Sequence, residues 1–275
     1  MPASPFGYAR KLIKSGAAKL NSAPATADTL LSLHDSITLK ESAATAAQLT
    51  PVRPDLDILY EDSHILIANK PPGLPMHRTA EFEDNLVEVG QAYMIQRATP
   101  CKLYPVNRLD RGTSGAVILA KSSSSAAIYG RQVKETGLDK LYLALVWGTP
   151  ESSGVINETL DGKESETRHK TLLAGENCSL LAVTPISGRM HQIRRHLASI
   201  GRPIIGDKRY GGGDLPELSG FALHSFRTTL ALAESGGLTV CAPISDELLN
   251  LCQRRGLGQD TLLKAVYQLA RQEEP

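Results

Sequence analysis

Residues 105–121 read PVNRLDRGTSGAVILAK. One acid, Asp110, lies between two arginines, Arg108 and Arg111, and a Gly-Thr-Ser-Gly turn leads into a short apolar run. A run of a few branched apolar residues behind turn residues marks a buried strand. An aspartate at the mouth of such a turn is held on rigid backbone. Flanking guanidinium groups favour the charged form of a carboxylate, and a positioned carboxylate can act as a nucleophile or a general base. An Asp–Arg pair that only fixes a loop is the plainer account of the same residues.

The texture of that strand recurs on both sides. LDILYED, HILIANKP, LYLALVWG, SLLAVTPI and LTVCAP are short apolar runs between Gly, Pro, Asp and Ser clusters. Helical patterns fall over residues 85–96, 123–134, 191–200, 246–254 and 259–272. Strands outnumber helices and do not alternate with them, which predicts an α+β domain built on a mixed sheet. Residues 45–54 are small, polar and rich in proline, and are read as a linker. The chain therefore divides into a small segment, 1–44, the linker, and a large domain, 55–275. Within the small segment, 8–20 is expected to be a basic helix and 30–39 to be strand-like, with Asp35-Ser36 as a turn.

Composition narrows the function. Hydrophobic residues make up 41% of the 275 and charged residues 21%, so a substantial core is available and disorder throughout is excluded. Thirty basic residues against 29 acidic rule out a uniformly basic coat, but not a local basic groove. Aromatics at 5% argue against an aromatic-lined carbohydrate cleft. Cys101, Cys178, Cys241 and Cys252 lie far apart, which fits neither a zinc knuckle nor a disulfide scaffold and points to a reducing cytosol. No apolar window is long enough to span a membrane, and no secretory signal is visible.

Two further segments carry chemistry. From Arg189 to Arg209 six basic residues face one acid, Asp207, a local net of +5, with His191 and His196 added. On a helix, His191 and Arg195 would share a face. A basic helix followed by a glycine-rich basic loop suits phosphate contacts. In GLDKLYLALVWG (137–148), Tyr142 follows Lys140 at the start of a strand, where a tyrosine is usually packing. Thr113-Ser114-Gly115 lacks the nucleophile-elbow pattern, and the i, i+5 spacing of His191 and His196 does not suit metal binding on a helix.

In order along the chain, LYEDSHILIANKPPGLPMH (59–77), NRLDRGTSG (107–115), KLYLALVWG (140–148), GRMHQIRRHLASIGRPIIGD (188–207) and ALHSF (222–226) resemble the motifs of the RluA-type RNA pseudouridine synthases. The RsuA-type branch fits less well. The resemblance implies a mostly antiparallel mixed sheet with helices around a central cleft. It implies isomerisation of uridine to pseudouridine in rRNA or tRNA, with no metal and no cofactor. Asp110 matches the catalytic aspartate, which would attack the base or the anomeric carbon, or act as a base. Tyr142 matches the tyrosine that stacks on uracil and Arg194 the arginine that pairs with the aspartate. Ile193 matches an apolar position near the base, and Arg108 the position that fills the space of the flipped nucleotide. His191, Arg111 and Arg195 are taken as further substrate-binding residues.

One departure is Asn107, where the family usually has His. Asn keeps hydrogen bonding but does not titrate, so activity is expected to survive. Residues 10–39 are similar to the latter part of the alpha-L RNA-binding domain, whose first helix is missing or eroded here. That module favours large-subunit rRNA as substrate; the RRHL wording favours tRNA. A monomer acting in the cytoplasm is expected. The rival reading is a non-catalytic RNA-binding or assembly factor on the same fold.

Overall fold

The computed structural model describes residues 6–24, 26, 28–40, 56–79, 83–135, 138–232 and 236–271. The linker expected at 45–54 lies outside them. The AVILA run becomes strand β7 (Ser114–Ala120), with every residue buried. Its alternate side chains feed both faces of a sheet, so the strand reads as a continuous apolar run rather than an alternating one.

Among the described residues that sheet has ten strands: β4 (Asp57–Glu61), β5 (Ile65–Lys70), β6 (Tyr104–Pro105), β7, β8 (Asp139–Trp147), β9 (Ser153–Asn157), β10 (Glu166–Gly175), β11 (Cys178–Pro185), β12 (Leu223–Leu232) and β13 (Gly236–Cys241). The order is β4-β5-β7-β12-β8-β11-β10-β9, with β6 on β7 and β13 on β12. Among these pairs only β7–β12 is parallel, so the sheet is mixed and mostly antiparallel, as the sequence predicts. Strand β12 pairs with β7 at His224 and Ser225, then with β13 from Arg227 onward. This crossing brings β7 and β8 to either side of β12.

Helices α2 (Leu86–Gln96), α3 (Ser123–Glu135), α4 (Gln192–Ser199), α5 (Asp246–Arg254) and α6 (Gln259–Arg271) fall close to the predicted ranges. On one face, Ile65, Ile67, Ala116 and Ile118 pack with Tyr129 of α3 and with Leu230, Val240 and Ala242. Helix α5 begins at Ser245, whose hydroxyl accepts the Leu248 N–H, with Asp246 and Glu247 in its first turn. Acids there complement the helix dipole.

The chain splits into two compact units, Met1–Asp55 with Glu88–Cys101, and Leu56–Val87 with Lys102–Pro275. In the first, helix α1 (Phe6–Lys14) precedes a small antiparallel sheet of β1 (Ala18–Leu20), β2 (Ala23–Pro24) and β3 (Ile37–Leu39). The helix is shorter than the 8–20 expected. Gly16 takes φ +69°, and its N–H and that of Ala17 return to the Ile13 and Leu12 carbonyls. That is a Schellman stop, which glycine makes without strain. The strand expected over 30–39 is cut to its last three residues. Asp35 accepts the Ser32 N–H at 2.7 Å and the Asn21 amide at 2.7 Å, which holds a turn that begins at Ser32 and reaches the Asp35-Ser36 turn expected.

Candidate active site

Asp110 ends the turn before β7. Its carbonyl accepts the Thr113 N–H at 3.0 Å, while Leu109 and Thr113 are buried on either side. The next carbonyls are tied down as well. Arg111 O accepts from Gly73 N at 2.9 Å and from Lys70 Nζ at 3.0 Å, and Gly112 O accepts from Phe221 N at 3.2 Å. Lys70 is fully buried, and its ammonium also donates to the Pro71 and Leu74 carbonyls, both at 2.8 Å. Burial pulls this lysine down to about 7, and the negative charge of Asp110 opposes the pull. Three carbonyls also match the three N–H donors of the charged form. The aspartate therefore rides on a clamped turn.

Arg194 reaches that carboxylate from α4. Its Nη1 donates to Asp110 Oδ2 at 2.8 Å. Its other edge makes a fork with Asp207, Nε to Oδ2 at 2.7 Å and Nη2 to Oδ1 at 2.9 Å. The guanidinium lies 4.3 Å from the Phe221 ring centroid and 4.9 Å from that of Tyr210. Burial works against the Arg194 charge, yet the hydrogen bonds to Asp207 and Asp110 leave its pKa raised. Phe221 so close also explains Gly112, since an added Cβ there would run into the ring.

Helix α4 is pinned by the opposite face. The Gln192 amide accepts from Ser187 Oγ at 2.7 Å and Arg189 N at 3.0 Å, and donates to Glu166 O at 2.8 Å and Thr167 Oγ1 at 3.0 Å. One turn on, the fully buried His196 meets Thr167 Oγ1 at 2.9 Å and Ser165 Oγ at 3.1 Å. Residues 192 and 196 share a face, and 194 points about 200° away from 192.

His191 departs from the helical spacing assumed for it. It takes a left-handed backbone (φ 53°, ψ 28°) as the residue before α4, so it shares no face with Arg195. Its Nδ1 meets Tyr210 Oη at 2.9 Å, and its Nε2 stands 3.7 Å from Asp110 Oδ1, beyond hydrogen-bond reach. Burial lowers its pKa, and Asp110 acts in the opposite direction.

Asp110, Tyr142, Arg194, Arg108, Ile193 and His191 border one cleft of about 800 Å³. Tyr142 is buried on β8, and burial raises its phenol above the ordinary range. Ile193 is buried, and Arg108 is exposed. Two expected residues turn elsewhere. Arg111 donates to Gly73 O at 3.2 Å and pairs with Glu83. Arg195 pairs with Asp161 at 2.9 Å. The Asn107 Oδ1 accepts the Ile118 N–H of β7 at 2.9 Å, while its buried Nδ2 has no partner among the described residues. The Ser114 hydroxyl and His224 Nδ1 lie 2.9 Å apart, but both residues are buried and the other ring nitrogen faces the Ala242 carbonyl. That pair joins strands.

Sequence reading passed over Asp207, Tyr210, Phe221 and Lys70. Asp207 had a signal: a lone acid among six basic residues has a partner waiting. Phe221 and Tyr210 carried none, because an aromatic under a guanidinium looks like any other aromatic in one dimension.

A family model described as RNA pseudouridylate synthase matches residues 64–199. The Bacillus subtilis protein named uncharacterized RNA pseudouridine synthase YhcT is 34% identical over 236 residues, covering 79% of this chain and 77% of that protein. The chain belongs to the RNA pseudouridine synthase family. Within that family it is of the RluA type. Ribosomal large subunit pseudouridine synthase C of Escherichia coli is 36% identical over 190 residues, and that of Vibrio parahaemolyticus 39% over 168. These matches cover 62% and 56% of this chain, and the chain spans 59% and 52% of the relatives' lengths. The fold is shared with human RNA pseudouridylate synthase domain containing 1, at TM-score 0.60 and 23% identity over 81% of this chain and 97% of that one. Among the described residues no group of His, Cys, Asp and Glu is placed to hold a metal, and no helix is long and apolar enough to cross a membrane.

Proposed function

We propose that this chain isomerises uridine to pseudouridine in ribosomal RNA, with Asp110 as the catalytic carboxylate. The pairing of Asp110 Oδ2 with Arg194 at 2.8 Å, in a cleft that Tyr142 also lines, carries the reading. The isomerisation breaks the bond from N1 of uracil to the anomeric carbon and makes one from C5. A proton leaves C5 and N1 gains one. A stacked base hides that bond, so the nucleotide must be flipped out, at a cost of a few kcal/mol. The cleft has room for a flipped nucleotide. Asp110 Oδ1, the oxygen that Arg194 leaves free, is the atom available to the substrate. It attacks the base or the anomeric carbon, or acts as a base. Tyr142 supplies a neutral ring on which the uracil stacks, and Ile193 an apolar contact. Arg108, exposed on the rim, fills the gap left in the RNA.

Ribosomal RNA is favoured over tRNA by the two large-subunit relatives and by the basic segment 1–44, which we take as a shortened RNA-binding module ahead of the catalytic domain 55–275. We take the protein to act as a monomer. Among the described residues none of the four cysteines is in a disulfide, which fits a cytoplasmic setting. The test is pseudouridine mapping by carbodiimide labelling of total RNA from cells with and without the gene. Sites that vanish, and return with the intact protein but not with Asp110→Asn, establish enzyme and substrate together. No change at any uridine would favour the binding-factor reading.

A further inference from the structure

We propose that Lys140 holds a phosphate of the flipped nucleotide, which makes it a substrate-binding residue of this cleft. The inference rests on the isomerase reading above and adds to it. Lys140 and Tyr142 are two residues apart on β8, so their side chains leave the same face of the strand, roughly 6.6 Å apart. Both border the cleft. Lys140 is only 8% exposed. Among the described residues, no hydrogen bond or ion pair engages its ammonium.

The contrast with Lys70 makes this arrangement informative. Lys70 is fully buried, and its three N–H groups each find a carbonyl within 3.0 Å. That lysine is structural. Lys140 is nearly as buried but lacks such partners and opens on the cleft, and burial alone pulls it down to about 8. An ammonium held against apolar walls without a counter-charge is unfavourable, and an apolar side chain of the same size would serve packing better. The arrangement fits a partner that comes with the substrate.

The chemistry of that partner follows. An ammonium is a compact, strongly hydrated point charge, and full compensation requires an anion. RNA offers one anion per nucleotide, in the phosphodiester. The uracil carbonyls are neutral. Lys140 lies one strand step beyond the ring on which the base stacks, on the same face of β8. The Asp110 carboxylate makes its ion pair with Arg194 and not with this ammonium.

The test uses Lys140→Met in the full chain, with an oligoribonucleotide spanning the uridine that mapping identifies. Three results are expected. The urea midpoint of the variant rises, because a partly desolvated charge without a partner is gone. KM rises on the order of tenfold or more, as loss of a charged hydrogen bond predicts, while kcat at saturating RNA stays within a few-fold. The slope of log Kd against log salt falls by about 0.7 to 0.9, the signature of one lost phosphate contact. A neutral methylphosphonate next to the target uridine then weakens binding to the wild type and leaves the variant indifferent. This last measurement on the wild type needs no variant to fold. An unchanged salt slope and KM in Lys140→Met, or a wild type indifferent to the methylphosphonate, would overturn the proposal. A wild type that makes no pseudouridine in any RNA would instead overturn the isomerase reading.

Discussion

Asp207 and Asp110 share the guanidinium of Arg194, Asp207 through two hydrogen bonds of 2.7 and 2.9 Å and Asp110 through one of 2.8 Å. The two acids differ in what else they do. Asp207 is 2% exposed and spends both oxygens on Arg194. The Asp110 side chain is 29% exposed and keeps one oxygen free toward the cleft. One carboxylate holds the arginine in place, and the arginine orients the other.

Asp110→Asn should therefore fold normally and fail to turn over. Arg194 keeps its fork with Asp207, so the urea midpoint should move little. Isomerisation should fall at least about a thousandfold, the scale expected when a central catalytic group is removed. RNA affinity should stay within a few-fold. A single-turnover assay and filter binding on the same preparation check both. Affinity lost in parallel with activity would count against a catalytic role.

Asp207→Ala should show the opposite order of effects. Removing one partner of a buried ion pair leaves an uncompensated charge and costs about 3–5 kcal/mol. Here Asp110 offsets part of it, so a loss of about 2–3 kcal/mol is expected by urea unfolding. Activity should fall as well, because Arg194 no longer has a fixed edge from which to orient Asp110. A stable, fully active Asp207→Ala would refute the positioning role.

How far these roles could be read in advance follows from the kind of signal each leaves. Strand β7 was legible because burial on both faces writes a continuous apolar run. Helices α2 to α6 were legible from periodicity. The bounds of α1 were not, because a Schellman stop depends on one glycine at positive φ inside a basic stretch that still looks helical. At the site, Asp110 and Arg194 stood out through recurring motifs. Asp207 did not, although it holds Arg194, because its meaning lies in a partner thirteen positions away and on another element. The different courses of Arg194 and Arg195 follow from helix geometry: a doubled arginine in sequence sends its two guanidinium groups about 100° apart on the helix, one to Asp207 and one to Asp161.

Acid should destabilise the fold through His224. The ring is fully buried, and burial pulls its pKa down to about 4, against 6.5 when unfolded. Between those values the unfolded chain binds a proton that the folded chain refuses, so stability rises with pH across the window. The contribution is whole above pH 6.5 and is lost as pH falls toward 4, about 3 kcal/mol in all. Urea titrations at pH 7, 5.5 and 4.5 should show the decline. In His224→Gln the decline should be shallower, from a lower starting stability. Parallel pH curves for the two proteins would rule His224 out as the source.

Gly115→Ala should be among the most damaging small changes in the chain. Gly115 sits at φ +106°, and an added Cβ would strike the Ser225 backbone of β12. Backbone on both sides leaves nothing flexible to give way. Strain at such a φ and the overlap together should cost more than about 3 kcal/mol. A urea midpoint within experimental error of the wild type would refute the tight approach of β7 to β12.

Lys70→Met, set beside Lys140→Met, separates a clamp from a binding residue. The substitution at 70 frees the Leu74, Pro71 and Arg111 carbonyls in a buried setting, where each unmet acceptor costs about 1–3 kcal/mol. Arg111 O keeps its bond from Gly73 N, so the turn should loosen rather than unfold. Stability should fall by about 2–4 kcal/mol. Turnover should fall with it, since Asp110 then rides on a mobile turn and misplacement by an ångström can cost about a hundredfold. KM for RNA should change little, because Lys70 is fully buried and does not border the cleft. The Lys140 variant should give the reverse: higher stability, weaker RNA binding and nearly unchanged kcat. Urea unfolding with steady-state kinetics on both variants decides the matter, and a Lys70→Met protein with normal kcat and raised KM would show that the two lysines had been assigned the wrong way round.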